Sequence, residues 1–234
     1  MKVWIWKLII RMKDRKLTPL QIITHLGGWV PLAVIAYRFL TNNLTANPIQ
    51  AIEQRTGLTA LIFLLLSLAC TPASSILGWK EITQRRKALG NYGFMYAALH
   101  LLTFVGLDYG FNFGSILRDV GTKTYIIIGL MAFLMLLPLS ITSFTYWIKR
   151  LGKKWKRLHK LVYIISPLVV LHFLLVVKGN LGSLQGDLLK PLSYGAVVLI
   201  LLVLRIPPVK MRLIRFRTRI QTSVRTLSPN YRSK

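Results

Sequence analysis

Carboxylates and cysteine are what this chain has least of. Its 234 residues include six acids, Asp14, Glu53, Glu81, Asp108, Asp119 and Asp187, against 32 Lys and Arg, and a single cysteine, Cys70. One cysteine excludes an intramolecular disulfide and any cysteine-held metal cluster. The acids all fall in loops or at the ends of apolar runs, which leaves none in mid-membrane where a proton-coupled transporter would use one. A zinc motif, a phosphate loop, a G-x-G-x-x-G fingerprint and a carboxylate pair are also missing, so the sequence offers no standard nucleotide or acid–base site.

Apolar residues, in contrast, make up 53% of the chain and come in long runs separated by short polar loops, the pattern of an integral membrane protein. Six stretches, 20–40, 58–77, 92–109, 125–148, 158–177 and 188–206, reach the length of about 20 helical residues that crosses a hydrocarbon core. The expected fold is all-α, an integral membrane six-helix bundle over 20–206. Lys190 lies inside the last run and is expected to snorkel to the surface. A basic, Trp-containing segment precedes the bundle at 1–19 and reads as interfacial, since it lacks the cleavage pattern of a signal peptide. A basic tail follows at 207–234. The formal charge of +26 would suggest nucleic-acid binding in a soluble protein. Here Lys and Arg divide 26 to 6 between alternate compartments, which the positive-inside bias reads as both termini in the cytoplasm and as contact with membrane lipid rather than nucleic acid.

Four histidines carry the chemistry. Imidazole in hydrocarbon costs free energy unless something binds it, and His100 and His172 both lie well inside apolar runs. Two imidazoles on neighbouring helices supply the two axial ligands of a six-coordinate haem iron. Counted from the span starts, His100 is about 12 Å deep and His172 about 21 Å. The bland alternative is that each hydrogen-bonds a backbone carbonyl and serves packing. His159 precedes His172 by 13 residues, about 140° around an ideal helix, so the two cannot grip one iron. Pro167, between them, is placed to distort the helix so that both face the interior. His159 is a candidate for a second, cytoplasmic-side haem with His25 as its one remaining partner, or for a hydrogen bond to a propionate, flavin or quinone. His25 itself precedes Gly27 and Gly28, small residues that let a helix or a flat ring approach. Arg85 and Arg86 stand where a haem propionate, a flavin phosphate or a lipid phosphate would meet a guanidinium.

Several short motifs then combine: Asn47-Pro48, Thr56-Gly57, Thr71-Pro72, Arg85-Arg86 with Leu89-Gly90, Leu99-His100-Leu101, Leu151-Gly152 with Trp155, Leu158-His159, Val162-Tyr163 and His172. Together they resemble the MsrQ (YedZ) family, the haem-binding membrane subunit of the MsrPQ methionine sulfoxide reductase system, whose transmembrane domain is similar to those of ferric reductases and NADPH oxidases. The resemblance implies b-type haem, with His100 and His172 matching the family's ligands and His159 its third histidine. It further implies a bacterial inner-membrane protein that passes electrons, from a cytoplasmic flavin reductase or the quinone pool, to a periplasmic molybdopterin enzyme that repairs oxidised methionines. FMN is implied as a further cofactor. In that role the chain is an electron-transfer subunit rather than the catalytic one. The competing readings are a stand-alone ferric or metal reductase and a cofactor-free small transporter or scaffold.

Overall fold

A computed structural model describes residues 18–177 and 187–227, with side chains to Arg219 and at Thr222. The interfacial segment expected at 1–19 falls almost wholly outside the described residues, as does the tail beyond 227. The described elements are all helical: α1 (Pro19–Leu40), α2 (Pro48–Pro72), α3 (Arg86–Leu102), α4 (Phe113–Thr122), α5 (Thr124–Ile141), α6 (Thr145–Leu151), α7 (Lys153–Leu158), α8 (Val162–Val176), α9 (Leu189–Val203) and α10 (Pro207–Leu227). Wider π-helical turns extend α2 through Ala73–Leu77 and α3 through Thr103–Asp108.

Local chemistry sets the starts. Thr18 and Asn47 cap α1 and α2, accepting from the amides of Gln21 and Gln50, and each is followed by proline in the first turn, where its missing N–H is no loss. Pro48–Leu77 therefore begins ten residues before the apolar run suggested, because a capped first turn carries polar side chains. Four helices are long and apolar enough to cross a membrane, Pro19–Leu40, Pro48–Leu77, Thr124–Ile141 and Lys153–Val176. The count reaches six if two sharply bent pairs are each one crossing: Lys80–Asp108 with Phe113–Thr122, bent 113°, and Leu189–Val203 with Pro207–Arg219, bent 80°.

Three expectations shift. The fourth run was expected to stay helical to residue 148, but α5 ends at Ile141. Pro138 lies in its last turn, and the indole N–H of Trp155 donates to the Thr142 carbonyl (2.9 Å), holding the chain reversal. Lys190 sits at the start of α9, exposed and paired with Asp187 at 3.3 Å, and has no need to snorkel. Pro167 lies inside a continuous α8, and the break in that span is instead a tight turn at His159–Leu161.

α2 is the central helix. Leu61, Leu64, Leu65 and Leu68 pack against Leu136 and Leu139 of α5, Ile165 of α8, and Val198 and Leu201 of α9. On the same helix, Phe63 and Cys70 meet Leu89 and Tyr96 of α3. Many outward leucines and isoleucines, Ile23, Leu134, Leu199 and Ile200 among them, stay exposed, as lipid-facing positions do. Without a hydrophobic drive between helices in lipid, close fit and hydrogen bonds carry association. Gly93 of α3 supplies the fit, because a Cβ there would press on the α2 backbone at Leu64 N, 3.3 Å away. Tyr96, fully buried, supplies the hydrogen bond. Its hydroxyl donates to the Gly28 carbonyl (2.8 Å) and accepts from the Leu32 amide (3.0 Å), standing inside the α1 hydrogen-bond ladder next to Pro31. Tyr96→Phe is expected to destabilise the fold by about 1–3 kcal/mol, the cost of orphaned buried partners, measured as a lower thermal unfolding midpoint. An unchanged midpoint would mean that α1 closes its own ladder.

Candidate metal centre

His100 lies near the end of α3 and His172 in the second half of α8, and the structure brings the two rings together edge to face, with centroids 6.1 Å apart and planes at 78°. A metal held about 2 Å from each ring nitrogen, with each ring centre about 1.1 Å behind its nitrogen, requires about 6.2 Å between centroids. The pair is spaced for one ion between two imidazoles. The difference in depth counted from sequence disappears, because both spans begin before their apolar runs. Counted over the whole helical spans, which start at Lys80 and Lys153, His100 is 20 residues in and His172 is 19.

The far nitrogens decide the tautomer. Nδ1–H of His100 donates to the Glu53 carbonyl on α2 (3.0 Å), and Nδ1–H of His172 donates to the Tyr125 carbonyl on α5 (2.8 Å). A carbonyl can only accept, so each Nδ1 carries the proton and each Nε2 presents a lone pair. Such a hydrogen bond behind a metal-binding histidine fixes the ring and raises its basicity.

The reason a helical carbonyl can be reached from the side is the residue four positions later. In a helix, residues i and i+4 lie one above the other on the same face, so a side chain at i+4 would cover the second lone pair of carbonyl i. Glu53 is followed at that spacing by Gly57, and Tyr125 by Gly129. A Cβ on Gly57 would stand 3.2 Å from the His100 ring, and one on Gly129 would stand 2.8 Å from the His172 ring. The two half-sites are copies: Tyr125, Gly129 and His172 each follow Glu53, Gly57 and His100 by 72 residues. Neither the two carbonyls nor the two glycines were found by reading for side-chain chemistry. The signal that could have found them is this internal echo.

The remaining candidates are placed apart from the pair. His159 stacks on Trp155 at 4.0 Å, its Nδ1 is 3.2 Å from the Trp155 carbonyl, and its Nε2 is buried without a hydrogen bond. Arg86 lies near Arg205, Tyr163 and His159. Arg205, which the sequence reading did not single out, donates to the Tyr163 hydroxyl (2.7 Å) and the Leu68 carbonyl (2.5 Å). Arg85 donates to Gln84 at 3.3 Å, and its Nε is buried and unpartnered. Among the described residues the ion pairs are Lys123–Asp119 and Lys190–Asp187, so these guanidinium groups face no carboxylate. His25 is exposed on α1, and its Nδ1 lies 2.9 Å from the Tyr92 hydroxyl.

Comparison with known proteins agrees with this frame. Residues 56–170 match a family described as ferric reductase like transmembrane component, a segment that includes His100 and His159 and stops two residues short of His172. The protein-methionine-sulfoxide reductase heme-binding subunit MsrQ of Rhodospirillum rubrum is 42% identical over 184 residues, 78% of this chain and 85% of the relative. The proteins of the same name from Caulobacter vibrioides and Herminiimonas arsenicoxydans are 38% and 36% identical, over 77% and 82% of this chain and 83% and 86% of theirs. The chain belongs to the MsrQ family. With a ferric reductase-like transmembrane component and several apolar helices of spanning length, it is a multi-pass membrane protein.

Proposed function

We propose that this chain is a b-type cytochrome that relays electrons across the bacterial inner membrane to the catalytic subunit of a methionine sulfoxide reductase. One observation carries the reading: two imidazoles with ring centroids 6.1 Å apart, each held through Nδ1 by a carbonyl, which leaves its Nε2 free to bind a metal. His100 and His172 would hold a haem through their Nε2 atoms, and the haem would supply one-electron chemistry there. The chain contributes ligation, burial and position, and no bond-making step of its own.

Direction follows from charge. Glu53, Asp108, Asp119 and Asp187 lie at the end of the bundle near His100 and His172, whereas Lys80, Arg85, Arg86, Lys87, the cluster at 149–160 and the arginines of α10 lie at the other. The positive-inside bias puts the basic end, with both chain termini, in the cytoplasm and gives six crossings. The haem then sits toward the periplasm, where a molybdopterin-containing MsrP-like reductase would collect electrons for repair of oxidised methionines. A cytoplasmic flavin reductase or the quinone pool would supply them. The unpartnered Nε2 of His159, with Arg86 nearby, suits a second cytoplasmic-side group: a second haem, or the phosphate of FMN.

The test is spectroscopic and then functional. Purified protein is expected to show a Soret band and, on reduction, the sharp α band of bis-histidine haem. The reduced form should be reoxidised by the periplasmic reductase only when methionine sulfoxide is present. Colourless protein from haem-replete cells would defeat the reading. Rapid reoxidation by ferric citrate with no response to the reductase would instead favour a stand-alone ferric reductase.

A further inference from the structure

A cavity of about 370 Å³ opens between α1 and α3, lined by His25 on the α1 side and by Gln84, Lys87, Ala88, Asn91, Tyr92 and Met95 on the other. From Gln84 onward these positions recur at three and four residues, so one face of that span makes the whole wall. The wall is graded. Gln84 and Lys87 are exposed at the basic end of the bundle, Asn91 and Tyr92 are partly buried further in, and Met95 closes the row. Lys87 to Asn91 is about 6 Å along the helix and Lys87 to Met95 about 12 Å. A cation, then hydrogen-bonding groups, then a thioether follow one another as phosphate, ester carbonyl and hydrocarbon do in a leaflet, whose headgroup region is about 5–7 Å deep.

The cation has no anion. Among the described residues Lys87 forms no ion pair, its ammonium lies over the Phe144 ring at 5.5 Å, and no carboxylate lines the cavity. The groups below it supply donors. Nδ1 of His25 and the Tyr92 hydroxyl are 2.9 Å apart. If the phenol donates, Nε2 of the neutral ring carries the remaining proton; if Nδ1 donates, the phenol proton is left over. Either way the pair keeps one donor, and the Asn91 carboxamide adds two. The oxygens of a phosphate diester and of a carboxylic ester only accept. These donors are also held in place: a Cβ on Gly28 would stand 2.3 Å from the Tyr92 ring, and Phe63 and Trp29 pack that ring at 5.6 and 6.3 Å between centroids. Access is sideways. His25 is exposed although it lies within a spanning helix, and a Cβ on Gly27 would meet nothing within 4 Å, so the cavity opens toward lipid.

We infer that this cavity is a binding site for one phosphatidylglycerol molecule. Its phosphate sits on Lys87, its ester carbonyls on Asn91 and the His25–Tyr92 pair, and an acyl chain runs past Met95. Ala88, between the two polar levels, leaves room for the glycerol backbone. The headgroup follows from charge: an ethanolamine or choline cation would face Lys87 with no carboxylate to receive it, whereas the Gln84 carboxamide suits a glycerol hydroxyl. A lipid seated there fills the space between α1 and α3 and fastens the first helix to the bundle. The inference is independent of the haem relay.

The experiment uses delipidated full-length protein in detergent, with added dioleoylphosphatidylglycerol and bound lipid counted by native mass spectrometry. One tightly held lipid per chain is expected, together with a higher thermal unfolding midpoint. Dioleoylphosphatidylcholine at the same concentration should occupy the protein far less. Lys87→Gln and Asn91→Leu should each weaken binding by at least about tenfold, the effect of one lost hydrogen bond to a charged or ester oxygen. Ala88→Trp, which removes no polar group, should abolish binding by filling the groove. Lys87 is exposed, so Lys87→Gln should leave the lipid-free midpoint where it is, which separates loss of the site from misfolding. Wild-type retention of the lipid in all three variants, or equal occupancy by phosphatidylcholine, would overturn the site. A midpoint raised as much by glycerol 3-phosphate as by the lipid would also overturn it, in favour of a free phosphate.

Discussion

His100→Ala and His172→Ala are each expected to remove the low-spin spectrum, with haem per chain falling at least about tenfold. The expectation follows from how the site is built. Each ring contributes one Nε2 and is held by one carbonyl, so removing either ring leaves an iron with one protein ligand and a hole where the other stood. Haem that remains should be five-coordinate and high-spin. Misfolding is separated by chemical rescue: His172→Gly supplied with free imidazole should regain the sharp reduced α band, because the cavity left by the side chain matches the added ring. The other histidines set the scale. His25→Ala should leave the spectrum as it was, since its imidazole is on the far side of Tyr92. His159→Ala should spare the His100–His172 centre, and any absorbance it does remove measures a second haem. Full haem content and an unshifted band in both His100→Ala and His172→Ala would show that the facing imidazoles are only packing.

What could be read from sequence, and what could not, divides along a physical line. Apolar runs report which segments prefer lipid, so the all-helical membrane bundle was legible. A histidine within such a run reports a group needing a partner, so His100 and His172 were legible too. Hydrophobicity says little about polar first turns. The starts of α2 at Pro48 and of the spans that carry the two histidines, at Lys80 and Lys153, were therefore missed, and with the last two came a false mismatch in ligand depth. The bend after α3 that leads into α4 and the turn at His159–Leu161 were also missed, because neither needs a glycine–proline signature: the first follows from a left-handed Gly110-Phe111 turn, the second from one short turn of tighter helix. Backbone acceptors are invisible to any reading of side-chain types, since every residue has a carbonyl. Glu53 and Tyr125 act through theirs, and their own side chains give no hint of it. Arg205 escaped for another reason: its partners, Leu68 and Tyr163, come from α2 and α8, and only the packed bundle brings those helices to the end of α9.

The second large effect tests those carbonyls through the glycines that expose them. Gly129→Ala places a methyl 2.8 Å from Nδ1 and Cε1 of His172, closer than carbon atoms in contact approach, so the ring must turn or retreat and the 2.8 Å hydrogen bond to Tyr125 must lengthen or break. Loss of such a supporting bond weakens metal binding by about 10–100-fold, and haem transfer to apomyoglobin should speed up correspondingly. Gly57→Ala meets the His100 ring at 3.2 Å, which a shift of a few tenths of an ångström relieves, so its effect should be clearly smaller. The two substitutions are chemically identical, at positions that correspond under the 72-residue echo, and alanine is a better helix former than glycine at both. A ranking with Gly129→Ala much more damaging than Gly57→Ala can therefore come only from the unequal clearance behind the two rings. If the two variants lose haem equally, or if neither loses it, the carbonyl bonds do not position the ligands and the internal echo has no functional meaning. A redox titration adds an independent readout. A ring freed from its carbonyl is a poorer donor to the iron, and poorer donation favours iron(II), so the haem retained by Gly129→Ala should titrate at a higher potential than the wild type.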